Sequence, residues 1–253
     1  MRRIALLTDF GTRDPYVAAM KGVIAARTGV PIFDLTHDIA PYDVFGAAWF
    51  LRTIVRDWAA DTIFVCVVDP GVGTARKIIA MEQRGQILLA PDNGLLSLIE
   101  RGRVRAVENE TLFLPGDSNT FHGRDRFAPV AAALANGLSL DEVGPALTNI
   151  VQLPYDPPSY GQIVGGTIVA VDRFGNLVTD IEAARVAFKP FALEARGVTI
   201  DRLERTYAGA APGAFLIVGS SGWIEISVAN GSAAERLQMR RLDRVQVCPI
   251  DRC

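Results

Sequence analysis

The first half of the chain alternates between short apolar runs and longer segments with helical spacing. RIALLTD (3–9) and TIFVCVVD (62–69) are short and apolar, which predicts buried strands. YVAAMKGVIAART (16–28) and VFGAAWFLRTIVRDW (44–58) repeat apolar residues at helical intervals, which predicts helices. Strands that alternate with helices indicate a mostly parallel, doubly wound sheet that is covered on both faces. The first domain is therefore predicted to be α/β.

Six more segments complete this domain. Four of them predict strands, namely PIFDLTHD (31–38), KIIAMEQ (77–83), GQILLAPD (85–92) and RVRAVEN (103–109). NGLLSLIERG (93–102) predicts a short helix. RDRFAPVAAALANG (124–137) predicts a helix that begins near Arg124 and ends at Gly137, because glycine commonly follows a last helical turn.

The pattern changes near residue 150. LPYDPPSYG (153–161) contains three prolines and predicts a linker. The segments that follow are short, strand-like and separated by glycine turns, and their helical periodicity is weak. We therefore predict a first domain over 1–152, a linker over 153–162, and a smaller all-β, barrel-like domain over 163–253.

Composition and charge exclude several classes of protein. Hydrophobic residues make up 49% of the 253 residues, as in globular proteins. The net charge is −2 and basic residues are scattered, so neither nucleic acid nor a membrane surface is an expected partner. No apolar run is long enough for a membrane span, and the N-terminus lacks a signal-peptide pattern.

The three cysteines bear on the compartment. Cys66, Cys248 and Cys253 form no C-x-x-C pair, so the sequence gives no support for a zinc or thioredoxin-type site. Cys66 lies inside an apolar run and is expected to be a buried thiol. An odd and sparse set of cysteines is typical of a reducing cytoplasm, where we expect this protein to be located.

Polar residues follow four of the predicted strands. In chain order they are Asp9, then His37 with Asp38, then Asp69, and then Asp92 with Asn93. The carboxyl ends of parallel strands lie at one edge of a sheet, where open α/β proteins bind ligands. These residues therefore predict a functional polar edge. The alternative is that each aspartate simply caps the following helix.

Two motifs supply chemistry at this edge. In VVDPGVGTAR (67–76) a glycine-permitted turn holds Asp69 near Arg76, although the motif is neither a phosphate loop nor a dinucleotide fingerprint. TFHGRDRFAP (120–129) places His122 just before a predicted helix. A carboxylate beside a guanidinium can orient a water or an anion. The alternatives are a surface ion pair and a structural histidine.

A metal site is a further alternative at the same edge. No H-E-x-x-H or comparable spacing supports it. Its ligands would come from Asp9, His37, Asp38, Asp69 and His122.

The second domain contains VDRFGNLVTD (171–180), in which Phe174 and Asn176 flank a glycine. An aromatic face and an amide suit a purine base, which needs stacking and hydrogen bonds at its edge. The alternative is an ordinary hairpin turn, because F-G-N also favours turns.

Five motifs occur together and in order: TDFGTRDPYVAAMKG, VVDPGVGTAR, APDNGLL, TFHGRDRFAP and VDRFGNLVTD. In these motifs, which span nearly the whole chain, the sequence resembles the S-adenosylmethionine hydroxide adenosyltransferase family, related to the fluorinases and chlorinases. The resemblance implies an N-terminal α/β domain and a C-terminal barrel-like domain. It also implies a homotrimer in which each active site lies between the first domain of one subunit and the second domain of its neighbour.

The implied reaction is hydrolysis of S-adenosyl-L-methionine to adenosine and L-methionine, without a metal or redox cofactor. By resemblance, the residues that handle the attacking water are Asp69, Arg76 and His122. The residues implied to contact substrate are Asp9 at the ribose, Asp14 near the methionine, Asn93 at the same edge, Asp172 at the methionine amino group, Phe174 and Asn176 at the adenine, Tyr207 as a second stacking face, and Ser221 at the methionine.

Three rival functions stay open at this point. A halogenase is one, but the halogenating relatives place a small residue where this chain has His122, and the sequence leaves no room for the extra loop of the fluorinases. A metal-dependent nucleotide hydrolase would use the acidic edge. A module that binds S-adenosylmethionine or adenosine without turnover would need no residues that handle water.

Overall fold

The computed structural model describes residues 1–116, 118–208 and 210–252, so Cys253 lies outside the described residues. These form two compact units that divide after Pro154. The domain and linker limits given above stay predictions. Cys66 is a fully buried thiol outside any disulfide, as predicted, and burial raises its pKa.

The first unit contains a six-stranded sheet with the order β2-β1-β3-β5-β4-β6. Its strands are β1 (Arg3–Thr8), β2 (Ile32–Thr36), β3 (Thr62–Val67), β4 (Ile78–Gln83), β5 (Gln86–Pro91) and β6 (Arg103–Ala106). Strands β2, β1, β3 and β5 run parallel, whereas β4 is antiparallel to both of its neighbours. The predicted α/β class and mostly parallel sheet are confirmed.

Helices cover both faces of this sheet, because the strands are apolar on both sides. The helices are α1 (Tyr16–Ala25), α2 (Val44–Ile54) and α3 (Ala128–Ala135), and a π-helical turn (Gly123–Phe127) leads into α3. Side chains of α1 and α3 share one buried cluster with β1, and α2 packs in a second cluster on the other face. Short 3₁₀ turns lie at Val55–Asp57, Glu110–Leu112 and Leu140–Val143.

The predicted helix at 93–102 is wrong, because this segment forms successive turns. Gly94 has φ +99°, a conformation that a helix does not use. The Asn93 side chain accepts from the Leu95 amide at 3.2 Å, and the Ser97 hydroxyl donates to the Gly94 carbonyl. The Ser97 and Ile99 amides donate three residues back, to the carbonyls of Gly94 and Leu96, so the segment closes tight turns in place of α-helical hydrogen bonds.

The second unit is built on an eight-stranded sheet with the order β10-β9-β14-β7-β8-β13-β12-β11, curled into a half-barrel. All neighbouring strands are antiparallel except β11 and β12. One short helix, α4 (Ala233–Leu237), and two 3₁₀ turns (Ala183–Arg185 and Ile250–Arg252) interrupt an otherwise β structure. The strands are β7 (Val164–Val171), β8 (Leu177–Glu182), β9 (Phe191–Ala195), β10 (Val198–Ile200), β11 (Leu203–Glu204), β12 (Ala214–Val218), β13 (Trp223–Val228) and β14 (Arg244–Pro249).

Topology places the predicted polar edge in the first unit. Because β2, β1, β3 and β5 are parallel neighbours, the residues after their carboxyl ends lie along one edge of the sheet. Across the described ranges, we find no helix with the length and apolarity that a membrane crossing requires.

Candidate active site

The turn after β3 holds Asp69 and Arg76 as a buried ion pair. Nε of Arg76 donates to both carboxylate oxygens of Asp69 at 2.9 Å, and Nη2 contacts Oδ2 as well. The two side chains are only 5% and 9% exposed. Gly73 permits this tight turn, because it has φ +79° and a Cβ there would lie 2.3 Å from the Asn119 carbonyl. The surface ion-pair alternative is therefore wrong.

Arg76 also joins His122 to this pair, since its Nη2 lies 2.9 Å from Nδ1 of His122. Arginine nitrogens only donate, so Nδ1 accepts this bond and the neutral imidazole carries its proton on Nε2. His122 is 2% exposed. The structure thus brings together the three residues that the sequence suggested for handling water.

The π-helical turn that follows His122 is fixed by a carboxylate that the sequence analysis missed. Asp125 is 1% exposed, receives two hydrogen bonds from Arg124, and accepts from the Ser118 amide at 2.8 Å. Burial raises the pKa of this carboxyl, but the hydrogen bonds from Arg124 and the Ser118 amide, together with the charge of Arg124, outweigh burial and lower the pKa overall. Asp125 therefore anchors the loop from Ser118 to His122.

Aromatic rings lie beside Gly123, the residue that follows His122: a Cβ there would lie 3.3 Å from the Phe121 ring and 3.4 Å from the Phe10 ring. Phe10, Tyr16 and Phe121 pack against one another with centroids 5.2–6.1 Å apart. The Arg124 guanidinium lies 5.2 Å from the centre of the Phe121 ring. The rings therefore pack against the start of the π-helical turn that follows His122.

Two other predicted residues lie along the polar edge. Asp9 follows β1 and its Oδ2 accepts from the Tyr42 amide at 2.9 Å, which leaves acceptor capacity on the carboxylate. Asn93 follows β5 and donates from Nδ2 to the Val68 carbonyl at 2.9 Å, so its amide ties β5 to the residue before Asp69. Asp14 is exposed and lies just before α1.

His37 is held as a structural residue. Its Nδ1 lies 2.9 Å from the Thr8 hydroxyl and its Nε2 lies 2.9 Å from Oδ1 of Asp34. Asp34 also pairs with Lys21 at 2.6 Å. Burial raises the pKa of Asp34, but hydrogen bonds and charge from Lys21 and His37 lower it overall. Within the described ranges, no group of three or more His, Cys, Asp or Glu side chains is arranged to hold a metal ion.

In the second unit, Asp172 organises the F-G-N turn. Its Oδ1 accepts from the amides of Phe174 at 2.9 Å and Asn176 at 2.8 Å, and its Oδ2 accepts from Nδ2 of Asn176 at 2.8 Å. Gly175 has φ +82°, and a Cβ there would lie 2.2 Å from the Ser232 hydroxyl. The turn leaves the Phe174 ring 78% exposed. A strand-connecting turn therefore presents an open aromatic face.

The remaining predicted residues of this unit surround Glu225, which the sequence analysis also missed. The Tyr207 hydroxyl donates to Oε2 of Glu225 at 3.0 Å. Ser221 is exposed on the turn formed by 219–222, and a Cβ on Gly219 of that turn would lie 1.9 Å from Oε1 of Glu225. The pKa of Tyr207 is raised to about 12, mainly by burial and in addition by the hydrogen bond to Glu225 and the charge of that carboxylate. Only the alternation of polar and apolar residues in WIEISV hinted at Glu225.

Comparison with known proteins identifies the family of this chain. The sequence profile of the SAM hydroxide adenosyltransferase N-terminal domain matches residues 4–144, and that of the C-terminal domain matches 166–246. The chain is 36% identical to a protein of Thermus thermophilus named (R)-S-adenosyl-L-methionine hydrolase, over 95% of this chain and 97% of that one. A protein of the same name from Salinispora tropica is 38% identical over 96% and 97% of the two chains.

Fluorinases are more distant. A fluorinase of Actinoplanes is 34% identical over 70% of this chain and 71% of its own. Among solved structures, an uncharacterized conserved protein of Thermotoga maritima superimposes with a TM-score of 0.91 at 34% identity, covering 97% of this chain and all of that one.

Proposed function

The chain belongs to the SAM hydroxide adenosyltransferase family, and we propose that it hydrolyses S-adenosyl-L-methionine to adenosine and L-methionine by attack of water on C5′. One observation carries the mechanism. A buried carboxylate, a guanidinium and an imidazole are joined in a single hydrogen-bonded chain through Asp69, Arg76 and His122.

Displacement at a sulfonium carbon has a neutral thioether as its leaving group, so it needs neither acid at sulfur nor a redox group. What it needs is a water molecule held in line with the C5′–S bond and partly removed from bulk solvent. We therefore propose that the reaction uses no metal or redox cofactor.

Arg76 stabilises hydroxide character on the attacking water through its positive charge. His122, with its proton on Nε2, orients that water as a hydrogen-bond donor. The carboxylate of Asp69 has about four acceptor positions, which the Arg76 contacts do not exhaust, so we assign the water proton to Asp69. The proton leaves water as the new C5′–O bond forms and the C5′–S bond breaks.

In the first unit we propose that Asp9 binds the ribose hydroxyls, since its carboxylate keeps free acceptor capacity. Asp14 is proposed to lie near the methionine end. Asn93 is proposed as an indirect contact, because its amide is bonded to backbone groups beside Asp69.

In the second unit the exposed ring of Phe174 is proposed to stack on adenine, and Asn176 to bind the edge of the base. Tyr207 would supply the second stacking face. Asp172 and Ser221 are proposed to bind the methionine moiety.

We further propose a homotrimer with active sites at subunit interfaces, by family resemblance, and a cytoplasmic location, on the ground of the sparse and odd number of cysteines in the sequence. Sedimentation equilibrium tests the trimer, with a monomer mass of 27.3 kDa as the reference. Fractionation of cells, with antibody detection, tests the location.

The central experiment incubates the purified protein with S-adenosylmethionine, with and without chloride and a chelator, and identifies products by mass spectrometry. Adenosine and methionine in every arm are expected. A 5′-chloro product would assign the protein to the halogenases, loss of activity with chelator would indicate a metal enzyme, and binding without any product would indicate a binding module. The variant His122→Ala is expected to lower turnover at least about 100-fold while binding is kept.

A further inference from the structure

Glu225 contacts Tyr207 and the 219–222 turn that carries Ser221, two of the predicted substrate-binding segments of the second unit. It is on β13, and its neighbours Ile224 and Ile226 point into the buried core, so Glu225 points to the opposite face. Oε2 accepts the Tyr207 hydroxyl at 3.0 Å, and Oε1 lies under the 219–222 turn against Gly219. The carboxylate is partly buried and held in one place from two sides.

The charge of this carboxylate is not balanced. Among the residues that the structure describes, neither Glu225 nor Asp172 forms an ion pair with Lys, Arg or His. Burial raises the pKa of Glu225, the Tyr207 hydrogen bond lowers it, and the charge of Asp172 raises it again, with a raised value as the outcome. The carboxylates of Glu225 and Asp172 repel each other. Oε1 of Glu225 accepts no hydrogen bond from the described residues. Both features favour a cationic ligand that donates hydrogen bonds.

We propose that Glu225, together with Asp172, binds the α-ammonium group of the methionine moiety. This inference rests on the proposed function and adds a residue to it. An ammonium group has a positive charge and three N–H donors, enough for Oε1 of Glu225 and for Asp172 at once. The sulfonium is a poorer match, because it has charge but no N–H donor. Adenosine has no positive charge, so Glu225 distinguishes substrate and methionine from the nucleoside product.

The test separates the ammonium group from every other part of the ligand. Calorimetric titration would use S-adenosyl-L-homocysteine, which has the ammonium group but no sulfonium, and its analogue that lacks the α-amino group. For Glu225→Gln, affinity for S-adenosyl-L-homocysteine is expected to fall about 10- to 100-fold, as for loss of a hydrogen bond to a charged group. Affinities for the desamino analogue and for adenosine are expected to change less than about twofold.

Matched variants keep the result interpretable. Glu194→Gln makes the same change at an exposed position of β9 and is expected to leave all affinities unchanged. Tyr207→Phe keeps the Glu225 carboxylate and the aromatic ring at position 207. This variant is expected to bind S-adenosyl-L-homocysteine in preference to the desamino analogue, and it supplies a second test if Glu225→Gln folds poorly. Kinetics with S-adenosylmethionine should show a raised KM and a nearly unchanged kcat for Glu225→Gln.

If Glu225→Gln lost equal affinity for S-adenosyl-L-homocysteine and for its desamino analogue, Glu225 would have a merely structural role and the inference would be overturned. Unchanged affinity for both ligands would also overturn it. If Tyr207→Phe lost the preference for the ligand with the ammonium group, that preference would be assigned to the Tyr207 hydroxyl instead of Glu225. Failure of the wild type to bind S-adenosylmethionine at all would overturn the proposed function, and the inference with it.

Discussion

The two units of the molecule stabilise their buried carboxylates in different ways. In the first unit Asp69 is bound by Arg76, and Asp125 is bound by Arg124. Each carboxylate therefore has a cation within hydrogen-bond distance, and the pKa of Asp125 is lowered despite its burial. The local charge of this region is balanced before any ligand arrives.

In the second unit the carboxylates of Asp180 and Asp172 are held by neutral donors. Asp180 accepts from the Thr167 amide at 2.8 Å and the Tyr155 hydroxyl at 2.9 Å, and Asp172 accepts from amides of its own turn. Burial raises the pKa of Asp180, and its hydrogen bonds and the charge of Arg244 only partly offset that effect. Glu225 has a raised pKa as well.

This difference fits the two halves of the proposed reaction. A balanced region suits a neutral nucleophile such as water, because the charge that develops on it is met by an arginine already in place. A region with excess negative charge suits a substrate that carries an ammonium and a sulfonium. The predictions below therefore test whether pairing of a buried carboxylate with a cation is needed for stability and turnover in the first unit and is dispensable in the second.

The largest expected effect comes from Arg76→Ala. It leaves Asp69 buried without its cation, which should cost about 3–5 kcal/mol of the free energy of unfolding and lower turnover more than about 100-fold. Urea denaturation and product formation measure the two effects. Arg56→Ala, at an exposed position of the same unit, is the control. A stability within about 1 kcal/mol of wild type for Arg76→Ala would show that the pair is dispensable.

Gly175→Ala tests the claim that the second unit relies on backbone turns rather than ion pairs. The left-handed conformation costs about 1–2 kcal/mol for alanine, and the contact with Ser232 adds about 1–3 kcal/mol. The midpoint temperature of thermal unfolding and the affinity for adenosine should both decrease. Gly197→Ala has a similar φ, +76°, but no neighbour within 4 Å of its Cβ, so it should show only the conformational cost. Equal effects of the two variants would show that the contact with Ser232 costs little.

Much of the fold was predictable because it follows from local patterns. The strands β1 to β6 and the helices α1, α2 and α3 were recognised from the spacing of apolar residues. The helix predicted at 93–102 failed because apolar spacing does not reveal that this segment closes as tight turns, with the Ser97 amide bonded to the Gly94 carbonyl and the Ile99 amide to the Leu96 carbonyl. These turns depend on the positive φ of Gly94, which the pattern of apolar residues does not encode.

The site was predictable where its residues follow strands and was missed where they depend on distant partners. Asp69 and Arg76 share one motif, a second motif supplied His122, and family resemblance grouped the three residues. Asp125 was passed over, although it is in the same motif as His122, because its burial and its bond to Ser118 are visible only in three dimensions. Glu225 occupies an ordinary polar position of a strand, and only Tyr207 and Gly219 make it unusual.

A smaller effect is expected for Asp125→Asn. Loss of the charge-assisted hydrogen bonds from Arg124 should cost about 1.5–3 kcal/mol at neutral pH, and turnover should fall because the loop before His122 loosens. The pKa of Asp125 is lowered in the folded state. Its stabilisation is therefore complete above about pH 4, the usual range for aspartate, and is lost as the pH falls through the lowered value. Wild type and variant should converge in acid, and a constant difference from pH 2 to 7 would contradict this account.

The smallest effect is expected for Asp180→Asn, although Asp180 is as buried as Asp125, each being 1% exposed. The asparagine oxygen can accept the Thr167 amide, and the Tyr155 hydroxyl can turn to accept from the new NH₂ group, so no hydrogen bond need be lost. The folded-state pKa of Asp180 is raised, so protonation of Asp180 stabilises the folded wild type. This contribution to the free energy of unfolding is complete below the unfolded-state pKa and is lost as the pH rises through the folded-state pKa. At neutral pH the variant should therefore lie within about 1 kcal/mol of wild type, and its relative stability should improve from acid to neutral pH, the reverse of Asp125→Asn. Denaturant unfolding of both variants across this pH range measures the contrast. A cost for Asp180→Asn as large as that for Asp125→Asn, with the same pH slope, would mean that the two units hold their carboxylates in the same way after all.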